Sequence, residues 1–409
     1  MNTIPMGFRL HIAIFGRRNV GKSTLINAIT NQQIAIVSDV PGTTTDPVFK
    51  TMELLPVGPV VMIDTAGLDD IGELGALRKE KTYEVMDKTN FAIIVLNAPD
   101  GLTQFEKELV KDLQQREIPA IGVINKCDLY DVSSEMINNF KDQLGIPVTR
   151  VSSKNKEGIE ELKEFISENA VYDESQLNIL RDLVSPGDTV VLITHIDCSA
   201  PKGRIILPQQ QTIRDVIESG ASVVVTQEKQ LEKTLKNLNQ PPVLVVTDSL
   251  VSSLVSPLVP ANIKLTSFSV LIGRQKGNLE EFARGLKKII NLKEGSRVLI
   301  SETCTHHRQK HDLGRAQIPN YVKSLTGKEM CFEWSSGTSF PRDLGMYDGV
   351  IHCGGCILNK QEMKSRIRIA RDNNVPITNY GMLISCAQGI LNRILEPFPS
   401  ALSIIEEGA

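Results

Sequence analysis

An apolar run, Leu10-His11-Ile12-Ala13-Ile14-Phe15, leads directly into Gly16-Arg17-Arg18-Asn19-Val20-Gly21-Lys22-Ser23. The second stretch fits the pattern G-x-x-x-x-G-K-[ST]. Backbone amides can close around phosphate oxygens only where glycines let the chain turn tightly. They do so at the start of a helix, whose dipole favours anions. The pattern therefore demands a buried strand, a tight loop and a helix in that order, which is the phosphate-binding unit of an α/β domain. Lys22 is positioned to reach the β and γ phosphates and Ser23 to ligate Mg2+, with Val20 and Thr24 in the same phosphate-binding stretch.

The rest of the first 170 or so residues repeats the theme. Val60-Val61-Met62-Ile63-Asp64, Phe91-Ala92-Ile93-Ile94-Val95-Leu96 and Ala120-Ile121-Gly122-Val123-Ile124-Asn125 read as buried strands separated by amphipathic stretches. Continuous apolar strands of this kind predict a mostly parallel sheet covered on both faces. Residues 157–169 read as the closing helix and 171–175 as a linker. A second α/β unit begins near Pro186-Gly187, with strands at 188–193, 222–226 and 243–247 and helices at 211–219 and 228–239. It has few residues with catalytic potential, so packing, spacing or self-association is its expected role. The third unit repeats strand–helix alternation around 297–301, 349–352 and 376–379. The expected fold class is α/β: a P-loop domain over 1–172 and two smaller α/β domains over 178–260 and 263–409.

A chain of 409 residues is too long for one ordinary core and fits two or three domains. Hydrophobic content of 41% and charged content of 23% are those of a soluble globular protein. The formal net charge of −3 gives no global electrostatic case for a nucleic-acid or lipid partner. No apolar run reaches the roughly 20 residues needed to span a bilayer. Met1 to Arg9 lack a signal-peptide hydrophobic region, so the cytoplasm is the expected compartment. Seven cysteines are too few for a disulfide framework and are expected as thiols or metal ligands.

Three further segments narrow the nucleotide. Asp64-Thr65-Ala66-Gly67 follows a buried strand, where an aspartate that holds Mg2+ through water and a γ-phosphate-sensing glycine amide are expected. Asn125-Lys126-Cys127-Asp128 ends another strand. The Asp128 carboxylate can accept two hydrogen bonds from guanine N1 and N2, and adenine offers no such donor pair. Ser152-Ser153-Lys154 supplies a backbone amide toward guanine O6. The four elements in this order predict a GTP site. This part of the chain resembles the translation-factor-related GTPases of the Era and MnmE type. The resemblance implies that Pro41-Gly42-Thr43-Thr44-Thr45-Asp46 is switch I, with Thr44 closing on Mg2+, and that Lys22, Thr44 and Gly67 serve hydrolysis. Leu68 stands where Ras-like enzymes carry a water-positioning glutamine, so intrinsic hydrolysis is expected to be slow. By the same resemblance, Asn19 is a candidate K+ ligand.

A second chemistry lies toward the other end. Cys353-Gly354-Gly355-Cys356 puts two thiolates in one short loop, with glycines that let the backbone turn around an inorganic core. Such a pair by itself fits zinc, redox or iron–sulfur chemistry. Cys304 follows the strand at 297–301, as Cys353 and Cys356 follow the one ending near Ile351. Soft ligands thus converge at carboxyl ends of strands, the usual crevice of α/β sheets. Cys127, Cys198, Cys331 and Cys386 are expected to be structural or incidental. His307 and His311, beside Arg308 and Lys310, are expected to face solvent or anions.

With Cys304-Thr305-His306 and His352-Cys353-Gly354-Gly355-Cys356 both read, the whole chain resembles the HydF family, the GTPases that mature iron–iron hydrogenase. The resemblance implies an N-terminal GTPase domain, a central dimerisation domain and a C-terminal iron–sulfur domain. It implies that Cys304, Cys353 and Cys356 hold a 4Fe–4S cluster with one non-cysteine position. His306 and His352 match the signature histidines and are further ligand candidates. The implied function is a GTP-controlled scaffold that takes a diiron precursor from radical-SAM maturases and passes it to apo iron–iron hydrogenase, with GTP, Mg2+, K+ and the cluster as cofactors. The competing expectation is a ribosome- or RNA-associated GTPase with a zinc-stabilised C-terminal domain. The acidic balance and the lack of a KH-type GXXG loop weigh against it. A radical-SAM enzyme would need C-x-x-x-C-x-x-C, which the chain lacks.

Overall fold

A computed structural model of the chain describes residues 6–31, 47–65, 73–170, 178–196, 205–303, 313–337 and 340–407. They fall into two compact units, Met1–Tyr172 and Asp173–Ala409. Among the described residues, no helix is long and apolar enough to cross a membrane.

The first unit is a six-stranded sheet of β1 (Leu10–Phe15), β2 (Val48–Leu54), β3 (Gly58–Asp64), β4 (Phe91–Asn97), β5 (Ala120–Asn125) and β6 (Val148–Arg150), ordered β2-β3-β1-β4-β5-β6. All neighbours are parallel except β2, which runs antiparallel to β3. Every residue of β1 is buried. The continuous apolar run therefore forms the sheet's spine, with separate cores on its two faces. Helices α1 (Lys22–Thr30), α2 (Glu73–Met86), α3 (Gln104–Gln115), α4 (Ser134–Leu144) and α5 (Ile159–Asn169) connect the strands. From β1 the chain turns first to β3 on one side and then to β4 on the other. The carboxyl end of β1 is thus a topological switch point, the usual place for a ligand in such sheets.

The second unit holds two four-stranded sheets, each parallel throughout. One comprises β7 (Thr189–Ile193), β8 (Ser222–Thr226), β9 (Leu244–Thr247) and β10 (Lys264–Ser267), ordered β10-β9-β7-β8. The other comprises β11 (Arg297–Glu302), β12 (Cys331–Ser336), β13 (Gly349–His352) and β14 (Ile377–Asn379), ordered β12-β11-β13-β14. The helices are α6 (Leu207–Glu218), α7 (Leu231–Asn237), α8 (Ser252–Val255), α9 (Phe268–Lys276), α10 (Leu279–Ile289), α11 (Ile318–Thr326), α12 (Lys360–Asp372), α13 (Tyr380–Ala387), α14 (Leu391–Leu395) and α15 (Pro399–Glu406). One continuous apolar cluster runs from Ile179 to Ala401 and serves both sheets.

Two expectations need correction. A boundary at 260–263 would cut β10 away from its sheet, because Lys264 to Ser267 pair in register with Leu244 to Thr247. The second sheet therefore continues past Ser267, and α9, which follows it directly, ends at Lys276. The helix expected over 228–239 is one short 3-10 turn followed by α7, which ends at Asn237.

Candidate functional site

Local backbone geometry makes the phosphate loop. Gly16 has φ +144° and Gly21 φ +94°, values that favour glycine. A Cβ at Gly16 would lie 2.6 Å from the Val95 carbonyl oxygen, and one at Gly21 would lie 2.4 Å from Asn125 Nδ2. The glycines are needed for space as well as for turning. Gly21 opens helix α1, and Lys22 is its first residue. The buried Lys22 Nζ donates to the carbonyls of Gly16 at 2.8 Å and Arg17 at 2.7 Å, which holds the ammonium within the loop.

Strand ends then deliver the other groups. Ser23 Oγ donates to Asp64 Oδ2 at 2.8 Å, so the two expected Mg2+ positions meet. Burial pushes the Asp64 carboxyl up, against the Ser23 hydroxyl and the Lys22 ammonium. Asn125 links the expected base-binding loop to the phosphate loop. Its Nδ2 donates to the Val20 carbonyl at 3.2 Å, and its Oδ1 accepts from Ser153 N at 3.1 Å and Ser153 Oγ at 2.8 Å. Lys126 Nζ donates to the Asn19 carbonyl at 2.7 Å, and Asp128 Oδ1 accepts from Ser152 Oγ at 2.7 Å. Asn19 and Lys154 are exposed, and Thr24 lies half-buried in the first turn of α1. Thr44, Gly67 and Leu68 lie outside the described residues.

One participant gave no signal in the sequence. Arg17, an unspecified position of the pattern, donates from Nε to Glu106 Oε1 at 2.7 Å. Glu106 is fully buried in the first turn of α3, so the loop is tied to an element 89 residues away.

The paired thiols sit at a second switch point, because the chain runs from β11 outward to β12 and returns to β13 on the other side. Ser301 and His352 are partners in the parallel register, and Cys353 N donates to the Ser301 carbonyl at 2.9 Å. This register sets Thr303 against Cys353. The Thr303 N–H donates to Cys353 Sγ at 3.3 Å, and the Thr303 hydroxyl lies 3.2 Å from the same sulfur. Burial pushes the Cys353 thiol up, and the two Thr303 contacts pull it back. Thr303 precedes Cys304 in the chain. Cys304 and His306 lie outside the described residues, as do Cys198, His307 and His311. Among the described residues, no group of three His, Cys, Asp or Glu side chains is gathered for a metal ion.

The donors that are described fit a soft inorganic core. Cys353 and Cys356 share one half-buried loop, and Gly355 curls it with φ +60°. A Cβ at Gly355 would lie 2.4 Å from Met363 Cε, whereas one at Gly354 would meet nothing within 4 Å. Hydrogen bonds to sulfur of the Thr303 kind tune iron–sulfur centres.

His352 does not fit the role of an iron ligand. It is fully buried. Its Nδ1–H donates to the Cys353 carbonyl at 2.6 Å, and its Nε2 accepts from Arg366 Nη1 at 2.9 Å. Both ring nitrogens are engaged, and burial beside Arg366 lowers the imidazole pKa to about 3. The ring is a neutral core group that shapes the turn into Cys353. Of the remaining cysteines, Cys331 is exposed on edge strand β12, and Cys127 and Cys386 pack against apolar clusters. Sequence reasoning also missed Lys276, at the end of α9, which is buried and reaches the Cys356 loop.

Three family models match the chain. Residues 11–126 match one described as a 50S ribosome-binding GTPase. Residues 179–277 match the hydrogen maturase F dimerization domain, and residues 280–397 match the hydrogen maturase F tetramerization domain. The last two together span more than half of the chain, and they meet just past α9, as the pairing of β10 requires. Among curated proteins, the tRNA modification GTPase MnmE of Heliobacterium modesticaldum is 33% identical over 215 residues, 51% of this chain and 43% of that protein. GTPase Der of Persephonella marina is 32% identical over 179 residues, 41% of this chain and 39% of that protein. The chain spans less than half the length of these relatives. Among solved structures, Aquifex aeolicus Era bound to GDP and AlF4− aligns over 53% of this chain and 93% of that one, with 18% identity and a TM-score of 0.36.

Proposed function

Because the chain belongs to the hydrogen maturase F family, we propose that it is a GTP-controlled scaffold that carries a diiron precursor to apo iron–iron hydrogenase. Its GTPase domain binds GTP with Mg2+. In the proposed reading, hydrolysis sets the timing of transfer and does no assembly chemistry. Radical-SAM maturases load the precursor, and the central domain joins two copies of the chain in the cytoplasm.

Within the GTP site, Lys22 and the loop amides hold the phosphates, and Ser23, Asp64 and Thr44 serve Mg2+. Gly67 senses the γ phosphate. Asn125, Lys126, Asp128 and residues 152–154 hold the base. Leu68 cannot orient water, so hydrolysis is slow and draws on K+ held by Asn19. Turnover in K+ should exceed that in Na+, and Asn19→Ala should remove the difference. Equal rates in the two salts for the native chain would refute the K+ assignment.

Cys304, Cys353 and Cys356 would hold a 4Fe–4S cluster, which supplies an iron with a non-cysteine position open to the incoming complex. Thr303 orients Cys353 through its N–H and hydroxyl. The observation that carries this reading is the meeting of Thr303, next to Cys304 in the chain, with Cys353 at the switch point of the third sheet. Metal analysis of the chain purified without oxygen tests it. About four irons per chain, with matching sulfide, are expected. Stoichiometric zinc in a colourless protein would instead favour a ribosome-associated GTPase with a structural zinc site.

A further inference from the structure

The Cys353–Cys356 loop is gripped by a residue from outside its own sheet. Lys276, the last residue of α9, is 3% exposed. Its Nζ donates to the carbonyls of Gly355 at 3.2 Å, Cys356 at 2.7 Å and Leu358 at 2.8 Å. An ammonium has three N–H bonds, and this loop offers three oxygens for them. Burying a lysine charge is costly unless hydrogen bonds compensate it. Three carbonyls turned onto one point supply that compensation, and they also prescribe the path of the backbone from Gly355 through Cys356 to Leu358.

The grip has a fixed origin. Helix α9 follows β10, the edge strand of the second sheet, and Ser267 caps it by accepting from Val270 N at 3.3 Å. A Cβ at Gly273, one turn before Lys276, would lie 2.4 Å from Asn379 Nδ2 at the end of β14. The helix therefore sits against the third sheet without room to slide. Lys276 falls within the residues that match the dimerization domain, and the loop it holds falls within those that match the tetramerization domain.

We propose that Lys276 is the positioning residue of the paired-thiol loop. It sets the backbone shape that aims Cys353 and Cys356 at one inorganic core, and it places a fixed positive charge beside that core. The proposal rests on the cluster reading given above. Outer groups that orient metal ligands commonly change metal retention by about 10- to 100-fold when removed. The positive charge should also favour the reduced, more anionic cluster.

The test uses the full chain reconstituted without oxygen, as wild type, Lys276→Met, Lys276→Arg and the exposed control Lys293→Met. Three quantities are read: the rate of iron removal by a chelator, the reduction potential of the cluster, and the alkylation rates of Cys353 and Cys356 in the iron-free protein. Lys276→Met should release iron about tenfold faster or more, show a more negative potential and, compared at equal thiolate fraction, alkylate faster at both cysteines. Lys276→Arg should keep the potential near wild type, and Lys293→Met should match wild type throughout. GTP hydrolysis should be unchanged in all four. If Lys276→Met does not fold, Lys276→Gln, which keeps one amide donor group, carries the same measurements. Wild-type values of all three quantities in a folded Lys276→Met or Lys276→Gln chain would overturn the proposal. Failure of the wild-type chain to hold iron would refute the cluster reading, while the alkylation rates would still report on the grip of Lys276.

Discussion

At the scale of single residues, the phosphate loop was legible because its chemistry leaves few choices. Gly16, Gly21, Lys22 and Ser23 each answer to one requirement of phosphate or Mg2+ binding. Charged residues drawn inward were not legible. Nothing in Arg-Arg-Asn tells that Arg17 pairs with Glu106, and nothing in the run ending at Lys276 tells that its ammonium is buried. Such partners are chosen by tertiary packing, which local sequence does not record. His11 shows the same effect with a measurable consequence. It lies in β1, 4% exposed, with Nδ1–H donating to the Arg9 carbonyl at 2.9 Å. Burial lowers its pKa from 6.5 to about 4. In the unfolded chain His11 takes up its proton first as pH falls. Its contribution to stability is therefore complete above pH 6.5 and is lost as pH falls from 6.5 toward 4. By pH 5 the loss should be about 2 kcal/mol relative to pH 7. Hydrogen exchange at β1 amides, corrected for intrinsic rates, should show this fall in the native chain and not in His11→Leu. Parallel pH profiles for the two proteins would contradict the assignment.

At the scale of elements, strands with continuous apolar runs were read to within a few residues, as at β1, β4, β5 and β13. The strands that went unread share a physical cause. β2 and β12 are sheet edges with exposed and polar positions, and β6 and β10 are only three and four residues long. Edge pairing needs no apolar run, so periodicity gives no signal there. The misplaced boundary near residue 260 follows from missing β10. The turn that carries the thiols depends on Gly355, whose φ of +60° strains any residue with a Cβ. Gly355→Ala should cost about 1 kcal/mol or more in loop conformation, besides the clash with Met363. Iron should be lost faster from this variant, and adding Met363→Ala should restore part of the retention. Wild-type iron retention in Gly355→Ala would show that the curl of the loop is not what holds the metal.

At the scale of the whole molecule, each compact unit has a switch point, which holds the phosphate loop in the first and the paired thiols in the second. The order of motifs along the chain made this division legible. The single core shared by the second and third sheets was not legible, because contacts distant in sequence build it. The division makes the two sites separable by mutation. Lys22→Ala should stop GTP hydrolysis and leave iron binding intact. Cys353→Ser should do the reverse, since a serine oxygen is a poor match for soft iron.

In the proposed function, the thiol loop at the β11–β13 switch point holds the cluster on which maturation depends. The most direct measurement is activation of apo iron–iron hydrogenase in a reconstituted mixture by folded Cys353→Ser chain, with electron paramagnetic resonance of the same sample. No cluster signal, no activated hydrogenase and undiminished GTP hydrolysis are expected. Full activation by a chain without a cluster signal would contradict the proposed function.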